Sequence, residues 1–280
     1  MLPFARISAY GNTVVFNYDD SNPNKLSGTV QGYTTVSSFG SYGSRSCTYR
    51  ENIYFINQTS QIYKLNPVSG AITLLTTRPV NVRNIGICCD SRYIYCAGGY
   101  SSTNRFDRYD TILNTWSQME VLPQSTYDLS IAMNYDNSDY VYAVKGSAMW
   151  RYSVLQNTWS TTGLATLPFG SSTSDEVGLI YSSGYLYMMY STSFARYHIE
   201  SNTWQTLASC AGIGTRNKIS RMGNYIYAVG PISGLWQYDI NTNIWSKINN
   251  TAPTGGNEVA IACSYDTGWT VSGTQFYKIK

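Results

Sequence analysis

Charge and histidine are what this chain has least of. Acidic and basic residues fill 12% of its 280 positions, about half the usual share of roughly 25%. His198 is the single histidine. One imidazole excludes paired-histidine metal centres, and no C-x-x-C pair is present, so neither a metal site nor a cofactor is expected. The formal net charge is +3 with no basic run, too little to argue for a nucleic-acid partner. No stretch approaches the roughly 18 uninterrupted apolar residues of a membrane helix, so membrane insertion is not expected either. The opening Met1-Leu2-Pro3-Phe4-Ala5-Arg6 lacks the apolar core of a secretory signal. A soluble chain, in a cytoplasm or a virus particle, is the expectation. Nucleophile-elbow, phosphate-loop and H-E-x-x-H motifs are all missing, and no catalytic residues are assigned.

What is there is aromatic and hydroxylic. Tyrosine alone counts 26, beside much Ser, Thr, Asn and Gly. Tyr and Thr favour strands, while Asn, Gly and Ser favour tight turns. The six cysteines, Cys47, Cys88, Cys89, Cys96, Cys210 and Cys263, fall mostly in strand-like runs and read as buried thiols. A Cys89–Cys96 contact within one hairpin stays open as an alternative.

The chain repeats itself. Tyr109-Asp110 is followed by Asn114-Thr115-Trp116, and the phrase returns at Tyr152 with Asn157-Thr158-Trp159, at Tyr197 with Asn202-Thr203-Trp204, and at Tyr238-Asp239 with Asn243-Ile244-Trp245. A period near forty residues marks repeated supersecondary units that cover one another's apolar faces. Each unit opens with two short β runs around turn formers, such as Ile85–Cys88 and Tyr93–Cys96 around Asp90-Ser91. A third strand carries the Tyr and a fourth begins at the Trp, which makes four antiparallel strands per unit. Leu65 with Ile72, and Leu26 with Tyr33, hold the same register in weaker copies. The second-strand anchors Val15, Ile53, Ile94, Val141, Leu186, Ile226 and Trp269 give seven hairpins.

The Tyr-Asp, Asn-Thr-Trp phrase after a hairpin, with Gly98-Gly99 ending a second strand, resembles the kelch motif. That resemblance implies an all-β propeller with the innermost strands lining a channel. One domain over residues 1–280 is expected, with seven blades and six as the alternative. The last unit stops inside its third strand at Gln275–Lys280. It is therefore either incomplete or closed by an N-terminal strand, for which Phe4–Ala9 is the candidate. The motif tryptophans are read as wedges between blades.

Residues shortly before each second-strand anchor should enter the inner strands together. They are Arg6, Arg45, Arg83, Asp128, Glu176, Arg216 and Glu258, a mixed ring of charge at one channel mouth. Arginine forks suit carboxylates and sugar hydroxyls. Loops on the same face offer Tyr42, Tyr100, Arg105 and Phe169 for protein or glycan contact. Ser264 to Thr270 resembles the Asp-box of sialidase propellers but reads equally as a hairpin turn. His198 reads as a sheet-face residue. The function expected is a non-enzymatic scaffold binding a protein or glycan. The composition also resembles virus and phage appendage proteins, so assembly with other virion proteins is a further expectation. The alternatives are a sugar-mutarotase-like enzyme using Arg216, Glu176 or Glu258, and an intracellular kelch interaction adaptor.

Overall fold

The computed structural model describes residues 25–37, 39, 45–100, 103–136, 139–170, 177–230, 234–250, 259–264 and 267–280, together with the backbone of the strands Ile7–Tyr10 and Thr13–Phe16. No helix occurs among the described residues. Six four-stranded antiparallel sheets form the body. In blade 2 the order from the centre outward is Gly86–Cys89, Tyr93–Ala97, Phe106–Asp110 and Thr115–Gln118. Blades 1, 3, 4 and 5 repeat that order over residues 45–77, 130–160, 178–206 and 218–249. The inner strands neighbour one another around a closed circuit, from Arg45–Tyr49 through Gly86–Cys89, Ser130–Met133, Gly178–Ser182, Lys218–Met222 and Val259–Ser264 back to Arg45–Tyr49. This is a β-propeller.

The expected seven blades are corrected to six. The first hairpin exists, but Ile7–Tyr10 and Thr13–Phe16 pair only with each other. Blade 6 takes its outer strand from the N-terminal part of the chain, though not from Phe4–Ala9. Val30–Thr35 pairs with Gln275–Ile279 and completes the sheet. Lys280 N donates to Thr29 O and Gly28 N to Lys280 O, both at 3.0 Å. Ring closure therefore rests on hydrogen bonds between the two ends of the described chain, and the last unit has no open edge at its third strand.

The repeated phrase works as a clasp between blades. Each motif Tyr hydroxyl donates to the Asn five residues on: Tyr109 to Asn114 at 3.0 Å, Tyr152 to Asn157 at 2.6 Å, Tyr197 to Asn202 at 2.7 Å and Tyr238 to Asn243 at 2.8 Å. All four Asn have φ between 52° and 58°, a left-handed conformation that Asn tolerates better than most residues. Three of those Asn oxygens also accept a backbone N–H from the preceding blade's exit segment, from Glu120, Ala165 and Ala208. The carbonyls of these same three residues accept the indole N–H of Trp159, Trp204 and Trp245 at 3.1, 3.3 and 2.9 Å. Trp116 donates instead to Thr76 Oγ1 of blade 1. The tryptophans are partly buried wedges with satisfied N–H groups, as their spacing led one to expect.

Where the outer strand is six residues long, a bulge takes over part of that task. The ladder skips Leu75 in blade 1, Ile248 in blade 5 and Tyr33 in blade 6. Tyr33 is T-shaped against buried Trp269 at 4.9 Å, and its hydroxyl donates to Ser69 O of blade 1. Gly70 has φ +72, and a Cβ there would lie 2.1 Å from the Tyr33 hydroxyl. Only glycine fits the seam.

The six cysteines are free and buried. Burial pushes the Cys96, Cys210 and Cys263 thiols up to about 12. Cys47 is also raised, by burial first and then by a contact with Cys89 across the interface between blades 1 and 2. Cys89 has this partner, and no disulfide links it to Cys96.

Candidate functional site

Strand direction fixes two faces. Hairpins between inner and second strands, and turns between third and outer strands, lie on what we term the lower face. Second-to-third connections and the returns to the next inner strand lie on the upper face. Every described candidate from the sequence (Arg45, Arg83, Asp128, Arg216, Tyr100 and Arg105) falls at the upper ends of strands or in upper connections. Arg6, Glu176 and Glu258, like Tyr42, lie outside the described residues. So do Tyr265 and Asp266 of the Ser264–Thr270 segment, whose flanks are the inner and second strands of blade 6.

The structure brings several of these residues together. Arg45 opens the inner strand of blade 1, and its guanidinium stands 3.4 Å from Asp128, which precedes the inner strand of blade 3. Asn84 of blade 2 lies between them and donates to Asp128 Oδ1 at 2.5 Å. Asn84, Asp128 and Arg216 each stand two residues before an inner strand and share φ values of 60°, 55° and 57°. A left-handed residue thus turns the chain into the channel at three blades. Both side chains of the Arg45–Asp128 pair are under 10% exposed, so pairing, rather than an open charge, is their state.

Next to this pair runs a ladder of cations and rings. Arg83 lies over the Tyr100 ring at 4.1 Å, Tyr100 meets Tyr127 at 5.9 Å, and Lys145 Nζ stands 4.8 Å from Tyr127. Tyr100 N donates to Arg83 O at 2.7 Å, which fixes the loop. Tyr100 keeps 47% of its surface exposed, the most open large apolar side chain of this face among the described residues. Tyr127, Lys145 and Asn84 were not among the sequence candidates. Their one signal was adjacency, since Tyr127 precedes Asp128 and Asn84 follows Arg83.

Arg105 is drawn elsewhere. Its guanidinium binds both Asp107 oxygens, at 2.6 and 3.2 Å. Asp107 also receives Arg78 Nε at 2.7 Å, while Arg78 donates to the Gly98 and Arg105 carbonyls. Arg78 is fully buried, and this network holds the upper connection of blade 2 against blade 1. Phe169 packs against the core between blades 3 and 4.

Tyrosines gather at the lower ends of the inner strands of blades 1, 3 and 4. Tyr135 of blade 3 donates to Thr48 O of blade 1 at 3.1 Å, spanning blade 2. Tyr49 and Tyr181 flank it at 5.3 and 5.6 Å, and the Tyr181 hydroxyl donates to Asp136. Among the described residues no cluster of metal-ligating side chains occurs, and no helix is long and apolar enough to cross a membrane. His198 contacts Ser201 Oγ at 2.7 Å and the Tyr185 ring at 4.8 Å on the sheet surface.

The family model described as the Kelch motif matches residues 82–120. That span runs from the entry of blade 2 to the clasp residue Glu120, one blade with its connections. Among curated proteins no match to the chain is found.

Proposed function

We propose that this kelch-repeat β-propeller is a non-catalytic scaffold that holds a protein or glycan partner on its upper face. Propellers of this kind are in general platforms for protein binding. The observation that carries the reading is Tyr100, half exposed, braced by Arg83 and its own backbone bond, beside the Arg45–Asp128 pair. A rigid ring with an amphipathic edge contributes contact area at little entropic cost on binding. Many of the buried thiols and phenols are raised by burial, and Asp110, at the lower turn of blade 2, is lowered by the hydrogen bond from Arg92. An enzymatic reading would rest on Glu176 and Glu258, outside the described residues. A place in a virus particle rests on the low charge and the Tyr, Asn and Ser content alone. It predicts sedimentation well above the 31.3 kDa of one chain.

Immobilised wild-type protein and a Tyr100→Ala/Arg83→Ala variant, offered a glycan array and a library of displayed peptides, test the reading. The variant should lose at least tenfold in affinity for whatever the wild type retains, at an unchanged melting temperature. Arg216→Ala is expected to weaken the same ligand. Equal retention by both proteins would move the site off this face.

A further inference from the structure

The lower face carries a repeat that the upper-face reading leaves unused. Immediately before the third-strand anchor stands a cation in five blades: Lys64, Arg108, Arg151, Arg196 and Lys278, with Gln237 in blade 5. Each lies over a second-strand ring. Lys64 is 6.0 Å from Tyr54, Arg108 4.2 Å from Tyr93, Arg151 4.7 Å from Tyr140, Arg196 4.6 Å from Tyr185 and Lys278 5.4 Å from Trp269. In blade 5 the ring of Tyr225 receives Lys25 instead, at 5.5 Å, from the segment leading into the closing strand. Every blade thus presents at least one cation on a second-strand ring, and Tyr93 of blade 2 receives Arg92 as well, at 5.0 Å.

In blades 2 to 4 the arrangement is tightest. Arg108, Arg151 and Arg196 are register partners of Tyr95, Tyr142 and Tyr187, so each arginine stacks on the first ring of a Tyr-x-Tyr segment and is the cross-strand neighbour of the second. The ion pairs among the described residues belong to Arg45, Arg78, Arg92 and Arg105. Arg108, Arg151 and Arg196 have none, and all three are partly exposed, as are Tyr93, Tyr140 and Tyr185. An arginine fixed by rings keeps its full charge and most of its donors for an incoming anion. Arg196 spends one donor, Nε, on Gln205.

Spacing selects the class of anion. The third strand lies two inter-strand spacings, about 10 Å, outside the channel wall. In a six-fold ring neighbouring equivalent points stand apart by the radius, so successive cations are more than ~10 Å apart. One acidic side chain cannot serve two of them. A DNA duplex, with a phosphate on each strand every ~3.4 Å of axis, would leave most of its charge unmatched. A polysaccharide with anionic groups a disaccharide or more apart can meet successive cations at such intervals, and its intervening faces can lie across the tyrosine edges.

We propose that the lower face of blades 2 to 4 binds an acidic polysaccharide, with Arg108, Arg151 and Arg196 receiving successive anionic groups beside Tyr93, Tyr140 and Tyr185. The site is separate from the upper-face reading, and either stands if the other fails. The test is titration of the full chain with heparin and with polyuronate oligosaccharides at low and physiological salt, against neutral dextran, polyglutamate and duplex DNA. The wild type should bind at least one acidic glycan, more weakly as salt rises, and at least tenfold more tightly than the controls. Arg108→Gln/Arg151→Gln/Arg196→Gln should lose at least tenfold at an unchanged melting temperature, while Tyr100→Ala binds as wild type. If the triple variant does not fold, Arg108→Gln and Arg196→Gln decide singly, each expected to lose at least threefold. No binding by the wild type, equal binding of polyglutamate or DNA, or unchanged affinity in the arginine variants overturns the proposal.

Discussion

At the residue scale the motif asparagine does more than the tryptophan beside it. Asn202 accepts from the Tyr197 hydroxyl and from Ala165 N, donates to Gly163 O, and holds φ 54°. Asn202→Ala removes all three bonds and places alanine in the left-handed region, and should cost about 2–4 kcal/mol in denaturant unfolding. Asn202→Gly should recover only the backbone share of that loss. The phrase was legible because side chains carry it. Its second partner was not, since a backbone N–H on the preceding blade leaves no mark in composition. A second residue-scale prediction concerns acid. The hydrogen bond from Arg92 lowers Asp110 from 3.8 to about 2. A depressed carboxylate stabilises the fold fully above its unfolded value and loses that contribution as pH falls through the folded one. Wild-type stability should therefore decline between about pH 4 and 2. Arg92→Met should flatten that decline when unfolding is followed at each pH.

At the element scale, a hairpin is not a blade. Val15 sits in a hairpin as its spacing suggested, yet among the described residues no third or fourth strand pairs with Thr13–Phe16. That is why a count of hairpins overshot the count of blades. Val30–Thr35 was hidden for a different reason. Its partner, Gln275–Ile279, lies at the opposite end of the chain, and Gly32 with Tyr33 gives it no clean alternation. The one local clue, Tyr33 in register with the motif tryptophans, held its meaning, since Tyr33 fills the seam against Gly70. Truncation separates the two N-terminal pieces. A chain starting at Lys25 should unfold in one transition near the full-length midpoint. One starting after Thr35 should unfold at lower denaturant with a broadened transition, because blade 6 loses its outer strand and Trp269 its cover. Equal midpoints would deny Val30–Thr35 its closing role.

At the scale of the whole molecule, the fold sorts its chemistry onto two faces. The Arg45–Asp128 pair and the Tyr100 ladder lie above, the cations held on second-strand rings lie toward the lower ends of the strands, and the contacts among Tyr49, Tyr135 and Tyr181 gather at the lower ends of the inner strands. The upper cluster was legible because arginines and acids recur shortly before each hairpin. The lower ring had an equally regular signal, a cation immediately before the motif tyrosine, but its meaning depends on which ring each cation covers. Both faces need a closed, rigid ring, and closure is the claim on which all else depends. Amide hydrogen exchange measured along the chain tests it most directly. Amides of Val30–Thr35 that bond to Gln275–Ile279 should exchange only with global unfolding, as slowly as those of Thr267–Ser272 in the same sheet. Rapid exchange of Val30–Thr35 beside a protected Thr267–Ser272 would contradict the six-bladed closed ring.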